Sequence, residues 1–275
     1  MLTLVNVIWG ARCGKSARRV LLGETGSSGQ AYSVRRRRES VVWREAPHRL
    51  PPSRLVSTIL FDLWIDVWRR KVAKGDVIAV RYADDLVLGF QLKADATRFL
   101  KEFKERLAKF TLELHPEKTR LIEFGRYAAR DRKLRGERKP ETFNFLGFTH
   151  YCGQRHKTGT FAIWRITAKT RMAAKLKAIK AELRRRMHDR PGQTGAWLRT
   201  VVVGYYRYHA VPGNIGQLST FRQRVNRLWY QALARRSQRA RKRWELLIPM
   251  FARWLPRPRV LHPYPEARFY ATHPS

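Results

Sequence analysis

From about residue 58 to 166, apolar positions follow strand and helix periods in turn, and beyond it a purely helical period. Over Ile59–Lys71, Leu60, Leu63, Trp64, Val67 and Trp68 fall at helical spacing, and Lys74-Gly75-Asp76 then supplies a stop and a turn. Val77–Tyr82 alternates as a half-buried strand does, Leu86–Phe90 forms a second strand, and Ala83-Asp84-Asp85 between them predicts a tight hairpin. Ala94–Phe110 returns to the helical period, with Phe99, Phe103, Leu107 and Phe110 on one face. Thr111–Leu114 and Leu121–Phe124 read as short strands around His115-Pro116-Glu117-Lys118, and Phe143–Phe148 and Thr160–Ile166 as a further strand pair. Past Thr167, Met172, Leu176, Ile179, Leu183 and Met187 make one apolar stripe, which Pro191-Gly192 breaks. Helices follow over about Gly195–His209, Leu218–Arg236 (Leu218, Phe221, Val225, Leu228 and Ala232 inward) and Arg243–Trp254, before a Pro-rich tail.

The pattern predicts an α+β unit at 58–166, an antiparallel sheet with packed helices, followed by an all-α unit at 168–269. Residues 1–57 keep no period for more than a few positions and stay unassigned. Leu2–Trp9 has the alternation of a strand, and the remainder, with Gly, Ser and Arg crowded over 22–47, reads as loop or disorder. A hydrophobic share of 44% is enough for a core.

Charge changes this picture from architecture to partner. Lys and Arg number 58 against 21 Asp and Glu, a net charge of +37. An excess of that size implies a polyanion, and Arg suits bidentate contact with phosphate. Charge alone fits a ribosomal-type or histone-like protein equally well. The two cysteines, Cys13 and Cys152, build neither a disulfide framework nor a zinc module, which fits a reducing, cytoplasmic setting. No apolar run has the length of a membrane span, so no membrane partner is expected. Met1–Gly10 lacks the basic start of a signal peptide.

Two segments suggest chemistry. Gly10-Ala11-Arg12-Cys13-Gly14-Lys15-Ser16 looks like a phosphate loop but is one residue short, because its first glycine would have to sit at Trp9. The other is the hairpin. Nucleotidyl transfer uses two divalent cations to activate the attacking oxygen and stabilise the leaving one. Mg²⁺ takes hard oxygen ligands, and adjacent carboxylates in a strand–turn–strand are one way to offer them. Val80-Arg81-Tyr82-Ala83-Asp84-Asp85-Leu86-Val87-Leu88-Gly89-Phe90 has that form.

Tyr82-Ala83-Asp84-Asp85 resembles the Tyr-x-Asp-Asp box of reverse transcriptases. Leu112-Glu113-Leu114-His115-Pro116-Glu117-Lys118-Thr119 and Phe143-Asn144-Phe145-Leu146-Gly147-Phe148 look like the two blocks that follow it, in family order and at family-like separations. Gly204-Tyr205-Tyr206, Phe221-Arg222, Leu228-Trp229 and Pro256–Pro265 with Glu266 and Phe269 look like the thumb domain specific to group II intron maturases. The resemblance runs from about Phe61 to Phe269 and implies a partial reverse transcriptase palm followed by a helical maturase thumb. It implies RNA-templated DNA synthesis with Mg²⁺, group II intron RNA and a DNA primer or target as partners, and a role in splicing.

Residue by residue, the resemblance makes Asp84 and Asp85 the metal-binding carboxylates, Asp84 the more direct ligand. Tyr82 either supports primer or template or packs in its strand. Lys118 either meets the nucleotide phosphates or is a surface lysine. Gly147 either admits the primer backbone or is a bulge glycine. The basic faces carrying Lys169, Arg171, Lys175, Arg184 and Arg185, and Arg222, Arg224, Arg235 and Arg236, are expected to contact RNA. Tyr205, Tyr206, Tyr208, Trp229 and Trp244 are stacking candidates, though core packing is the commoner role of aromatics at helical spacing.

The family's palm carries a third carboxylate on an upstream strand, and neither Asp62 nor Asp66 matches it. The start of the resemblance near Phe61 raises the expectation of a truncation or frameshift, of a sheet with an exposed edge, and of weak independent DNA synthesis. A non-enzymatic RNA-binding splicing factor and a nonfunctional remnant are the alternatives.

Overall fold

The computed structural model describes residues 4–9, 62–82, 85–155, 158–236 and 244–264. They fall into two compact units. Unit 1 holds those within 1–143 and 151–163, and unit 2 those within 144–150 and 164–268.

Unit 1 is built on a four-stranded sheet in the order β2-β3-β1-β4: β1 is Leu4–Trp9, β2 Val77–Tyr82, β3 Asp85–Phe90 and β4 Thr119–Glu123. β2 and β3 pair antiparallel, with Tyr82 opposite Asp85 and Val77 opposite Phe90. Of the expected strand Leu2–Trp9, the described part, Leu4–Trp9, forms β1, which lies parallel to both β3 and β4. The sheet is therefore mixed, not antiparallel as expected. The cause is the crossover from β3 to β4 through a helix, which makes those two strands parallel. A strand seated between them must run parallel to both or antiparallel to both. β1 pairs with β3 on the side away from β2, and β2 and β4 are the outer strands of the sheet.

Helices α1 (Trp64–Lys71) and α2 (Lys93–Ala108) cover one face of this sheet. Side chains alternate across a strand, so Leu86, Leu88 and Phe90 point into that layer, where they join Trp68, Phe99 and Phe103. Trp68 meets Phe99 edge to face at 4.9 Å, and Trp64 stacks on Phe103 at 5.6 Å. The inward stripe of α1 differs from expectation: Ile65 and Trp68 are buried, while Leu63 and Val67 are exposed. On α2, Phe99, Phe103 and Leu107 are buried as expected and Phe110, beyond the helix end, is 40% exposed. Buried Asp95 in its first turn accepts hydrogen bonds from the backbone N–H of Lys74 (3.0 Å) and Gly75 (2.8 Å), which fixes the turn before β2.

Thr111–Leu114 is not a strand. Leu114 makes one isolated bridge, and a single 3-10 turn at Pro116–Lys118 leads into β4. A helix absent from the sequence reading, α3 (Ala128–Leu134), follows β4. A second sheet, in the order β5-β6-β7, comprises Phe143–Phe145, Phe148–Gln154 and Phe161–Thr167.

Unit 2 consists mainly of α4 (Lys169–Arg185), α5 (Pro191–His209), α6 (Ile215–Ala234) and α7 (Trp244–Trp254). Pro191 starts α5, since a proline at the first helical position forfeits no intrahelical bond. Met172, Ile179 and Leu183 of α4, Leu198, Val202, Tyr205 and Tyr206 of α5, Leu218, Phe221, Val225 and Trp229 of α6, and Phe251 of α7 form the core. Gly195 permits the close approach of α7: a Cβ there would lie 2.6 Å from the Trp254 ring.

His209 ends α5 in this core, its ring stacked on Tyr205 at 4.2 Å and its Nδ1 3.2 Å from the Tyr205 carbonyl oxygen. Burial lowers the imidazole pKa below its ordinary value; the Tyr205 carbonyl opposes this and the Arg171 guanidinium adds to it. The fold thus disfavours protonation. Stability is complete above the unfolded value of about 6.5 and falls as pH drops through it toward the lowered folded value. Melting temperature is expected to drop between about pH 7.5 and 5.5 by more in the wild type than in His209→Gln. Equal slopes by circular dichroism would contradict this.

Candidate active site

The hairpin that joins β2 to β3 has a two-residue connection, Ala83-Asp84, which lies outside the described residues. Asp84, the expected direct metal ligand, therefore has no structural account. Asp85 opens β3 and pairs with Tyr82, and both are half-buried. Alternation sends Leu86, Leu88 and Phe90 toward the helices, so Asp85 and Tyr82 belong to the opposite sheet face. A carboxylate at a strand start, with a paired strand on each side and a helical layer beneath, has its backbone fixed before any ligand arrives.

Register places a second expected residue at this end of the sheet. Leu4 of β1 pairs with Asp85, and Val5 pairs with Thr119 of β4, so Lys118 lies level with Asp85 two strands away. At normal strand spacing that is roughly 10 Å. Lys118 is exposed. Tyr82, Asp85 and Lys118 thus share one end of unit 1.

Asp62 is not part of this group. It lies 3.1 Å from the Arg81 guanidinium, and Arg81 points to the helical face, as Val77 does. Burial raises the Asp62 carboxyl above its usual range, with Arg81 opposing. Asp66 pairs with Arg69 and Arg70 on α1. Among the described residues no three His, Cys, Asp or Glu side chains gather as a cation site needs. The strand beside β3, Leu-Val-Asn-Val-Ile-Trp, contains no acidic residue. The described residues alone therefore do not complete a divalent-metal site.

Gly147 belongs to unit 2 and is a turn residue, not a bulge. Leu146 and Gly147 both have positive φ (48° and 77°) between β5 and β6, the backbone of a two-residue hairpin that glycine favours. The Tyr208 hydroxyl donates to the Leu146 carbonyl at 2.7 Å, and the Ala168 N–H donates to the Gly147 carbonyl at 2.9 Å.

The basic residues of unit 2 divide into two groups. Lys169, Arg171, Lys175, Arg184, Arg185, Arg224 and Arg235 are exposed. Arg222 and Arg236 are not available in the expected way. The Arg222 guanidinium donates to the Leu255 carbonyl at 2.9 Å and that of Arg236 to the Asp189 carbonyl, so both tie helix ends together. Of the aromatic candidates, Tyr205, Tyr206 and Trp229 are core residues, Trp244 packs on Phe251, and Tyr208 stacks on Phe148.

Residues 25–150 match the family model of the reverse transcriptase (RNA-dependent DNA polymerase). The match spans the hairpin, Lys118 and the Phe-Leu-Gly-Phe turn, and it begins upstream of Phe61, where the motif resemblance starts. A reverse transcriptase domain implies nucleic acid as partner, and the family works with divalent metals. No curated protein and no solved structure matches the chain. Among the described residues no helix is long and apolar enough to cross a membrane.

Proposed function

We propose that this chain is the palm and thumb part of a group II intron reverse transcriptase/maturase: it binds intron RNA, assists splicing, and serves the intron's movement into a DNA target. The hairpin carries this reading, with Tyr82 and Asp85 paired on the sheet face opposite the helices and Lys118 level with them. The exposed Lys and Arg of α4 and α6 support it, as an RNA-binding surface on what would be the thumb. Mg²⁺ is the ion proposed for Asp84 and Asp85, where it would activate the attacking oxygen and stabilise the leaving one. The setting proposed is cytoplasmic.

One observation favours a second reading, a splicing factor without polymerase activity: β1 lies beside β3 and offers no carboxylate. Primer extension on an RNA template with Mg²⁺ separates the two. On the first reading the chain extends a DNA primer and its Asp84→Ala/Asp85→Ala variant does not. Extension by neither would overturn the polymerase part of that reading and leave the splicing factor.

A further inference from the structure

Segment 126–139, which contains α3, carries seven basic residues (Arg126, Arg130, Arg132, Lys133, Arg135, Arg138 and Lys139) against two acidic ones, Asp131 and Glu137. Its ion pairs sort these residues by role. Arg135 pairs with buried Glu123 of β4 and, at 2.6 Å, with Glu137. Arg132 reaches Glu137 at 3.3 Å and Glu141 at 3.9 Å, and its Nε donates to the Arg138 carbonyl at 3.0 Å. Glu141 also pairs with Arg120 of β4. Asp131 is taken by Arg130, which lies over the Tyr127 ring. Glu123 and Glu141 thus anchor the segment to β4, while Asp131 and Glu137 are engaged within it. Arg126, Lys133, Arg138 and Lys139 are exposed, and among the described residues none of the four has an ion-pair partner.

Position separates this surface from the hairpin. β4 runs from Thr119, level with the Asp85 end, to Glu123, which lies level with Trp9 and Phe90 at the opposite end. Four strand steps put Glu123, three residues before Arg126, roughly 13 Å along the sheet from Thr119.

The geometry points to α3 and the turn after it as a second RNA-contacting surface, one that grips the phosphate backbone of a duplex at the end of the sheet away from the hairpin. Four cations on an anchored support meet phosphates with little ordering cost, because the ion-pair network has already fixed the backbone that bears them. Exposed aromatic rings for base stacking do not accompany them among the described residues of this segment, since Tyr127 lies beneath Arg130. Contact therefore falls on phosphates and groove shape, the features by which double-stranded RNA is recognised. The inference rests on the reading of the chain as an RNA-binding protein.

The test uses the full chain and a hairpin RNA of about 20 base pairs, enough to span a double-stranded binding footprint. Arg126→Gln/Lys133→Gln/Arg138→Gln/Lys139→Gln is expected to weaken binding about tenfold and to lower the slope of log affinity against log salt by about three. Arg126→Lys/Arg138→Lys should bind as the wild type does. Bound RNA should shield Lys133 and Lys139 from amine acylation in the unmodified chain, a readout independent of how the variants fold. A wild type that binds the hairpin while the quadruple variant keeps its slope and both lysines stay reactive overturns this surface and leaves the proposed function standing. A wild type without salt-dependent binding overturns both.

Discussion

Raising monovalent salt from about 50 to about 200 mM is expected to weaken binding of structured intron RNA by roughly a thousandfold or more. The expectation follows from counterion release: each phosphate neutralised by a protein cation frees condensed ions, and added salt opposes their release. Lys169, Arg171, Lys175, Arg184, Arg185, Arg224 and Arg235 are exposed, enough to engage several phosphates. Changing Lys169, Arg171, Lys175, Arg184 and Arg185 together to Gln should flatten the salt slope by about 0.7–0.9 for each residue that meets a phosphate. Arg222→Gln and Arg236→Gln should act differently, lowering the melting temperature more than the slope, because their guanidinium groups hold the carbonyls of Leu255 and Asp189. Filter binding across a salt series checks both. A slope unchanged by the five substitutions would remove α4 from the interface.

The second large effect concerns stability. Asn214, fully buried between α5 and α6, satisfies three groups at once. Its Oδ1 accepts from the Thr167 N–H at 2.9 Å, and its Nδ2 donates to Thr167 Oγ1 and to the His209 carbonyl, both at 2.8 Å. Asn214→Ala leaves these groups without a partner and without water, at a cost of about 3 kcal/mol. For a unit of this size that is a fall of about 10 °C or more in melting temperature. Thr220→Ala, which removes an exposed hydroxyl bonded to the Gly216 carbonyl on the same helix, should change it by less than about 0.5 kcal/mol. Similar melting temperatures for the two variants would show that Asn214 does not join the end of β7 to the α5–α6 turn.

Local periodicity made some elements legible and hid others. The hairpin and the aromatic face of α2 were readable because Val77–Tyr82 alternates and because Phe99, Phe103 and Leu107 recur at helical spacing. The direction of β1 was not. Nothing in six residues says which neighbours a strand will choose, and some 67 residues separate it from β2, so no tight turn fixes its sense. α3 was missed because Ala-Ala-Arg-Asp-Arg-Lys-Leu buries one residue, Ala128, and so carries no apolar stripe. Its charges pair largely with residues outside the helix, Arg132 with Glu137 and Glu141, which no local period announces.

At the site, pattern located Tyr82 and Asp85, whereas their relation to Lys118 came from the register of β1 between β3 and β4. Arg222 and Arg236 show the limit of reading a basic face from sequence. An arginine near a helix end has free carbonyls within reach, and Arg222 and Arg236, unlike Arg224 and Arg235, turn inward to them.

The central claim, that this is a maturase-type chain bound to its own intron, is tested most directly by affinity for the RNA transcribed from the DNA that encodes and flanks it. Against an unrelated structured RNA of equal length, at a salt concentration where both bind measurably, a preference of about tenfold or more is predicted. Equal affinities at every salt concentration would contradict the claim and leave a basic protein that binds RNA by charge.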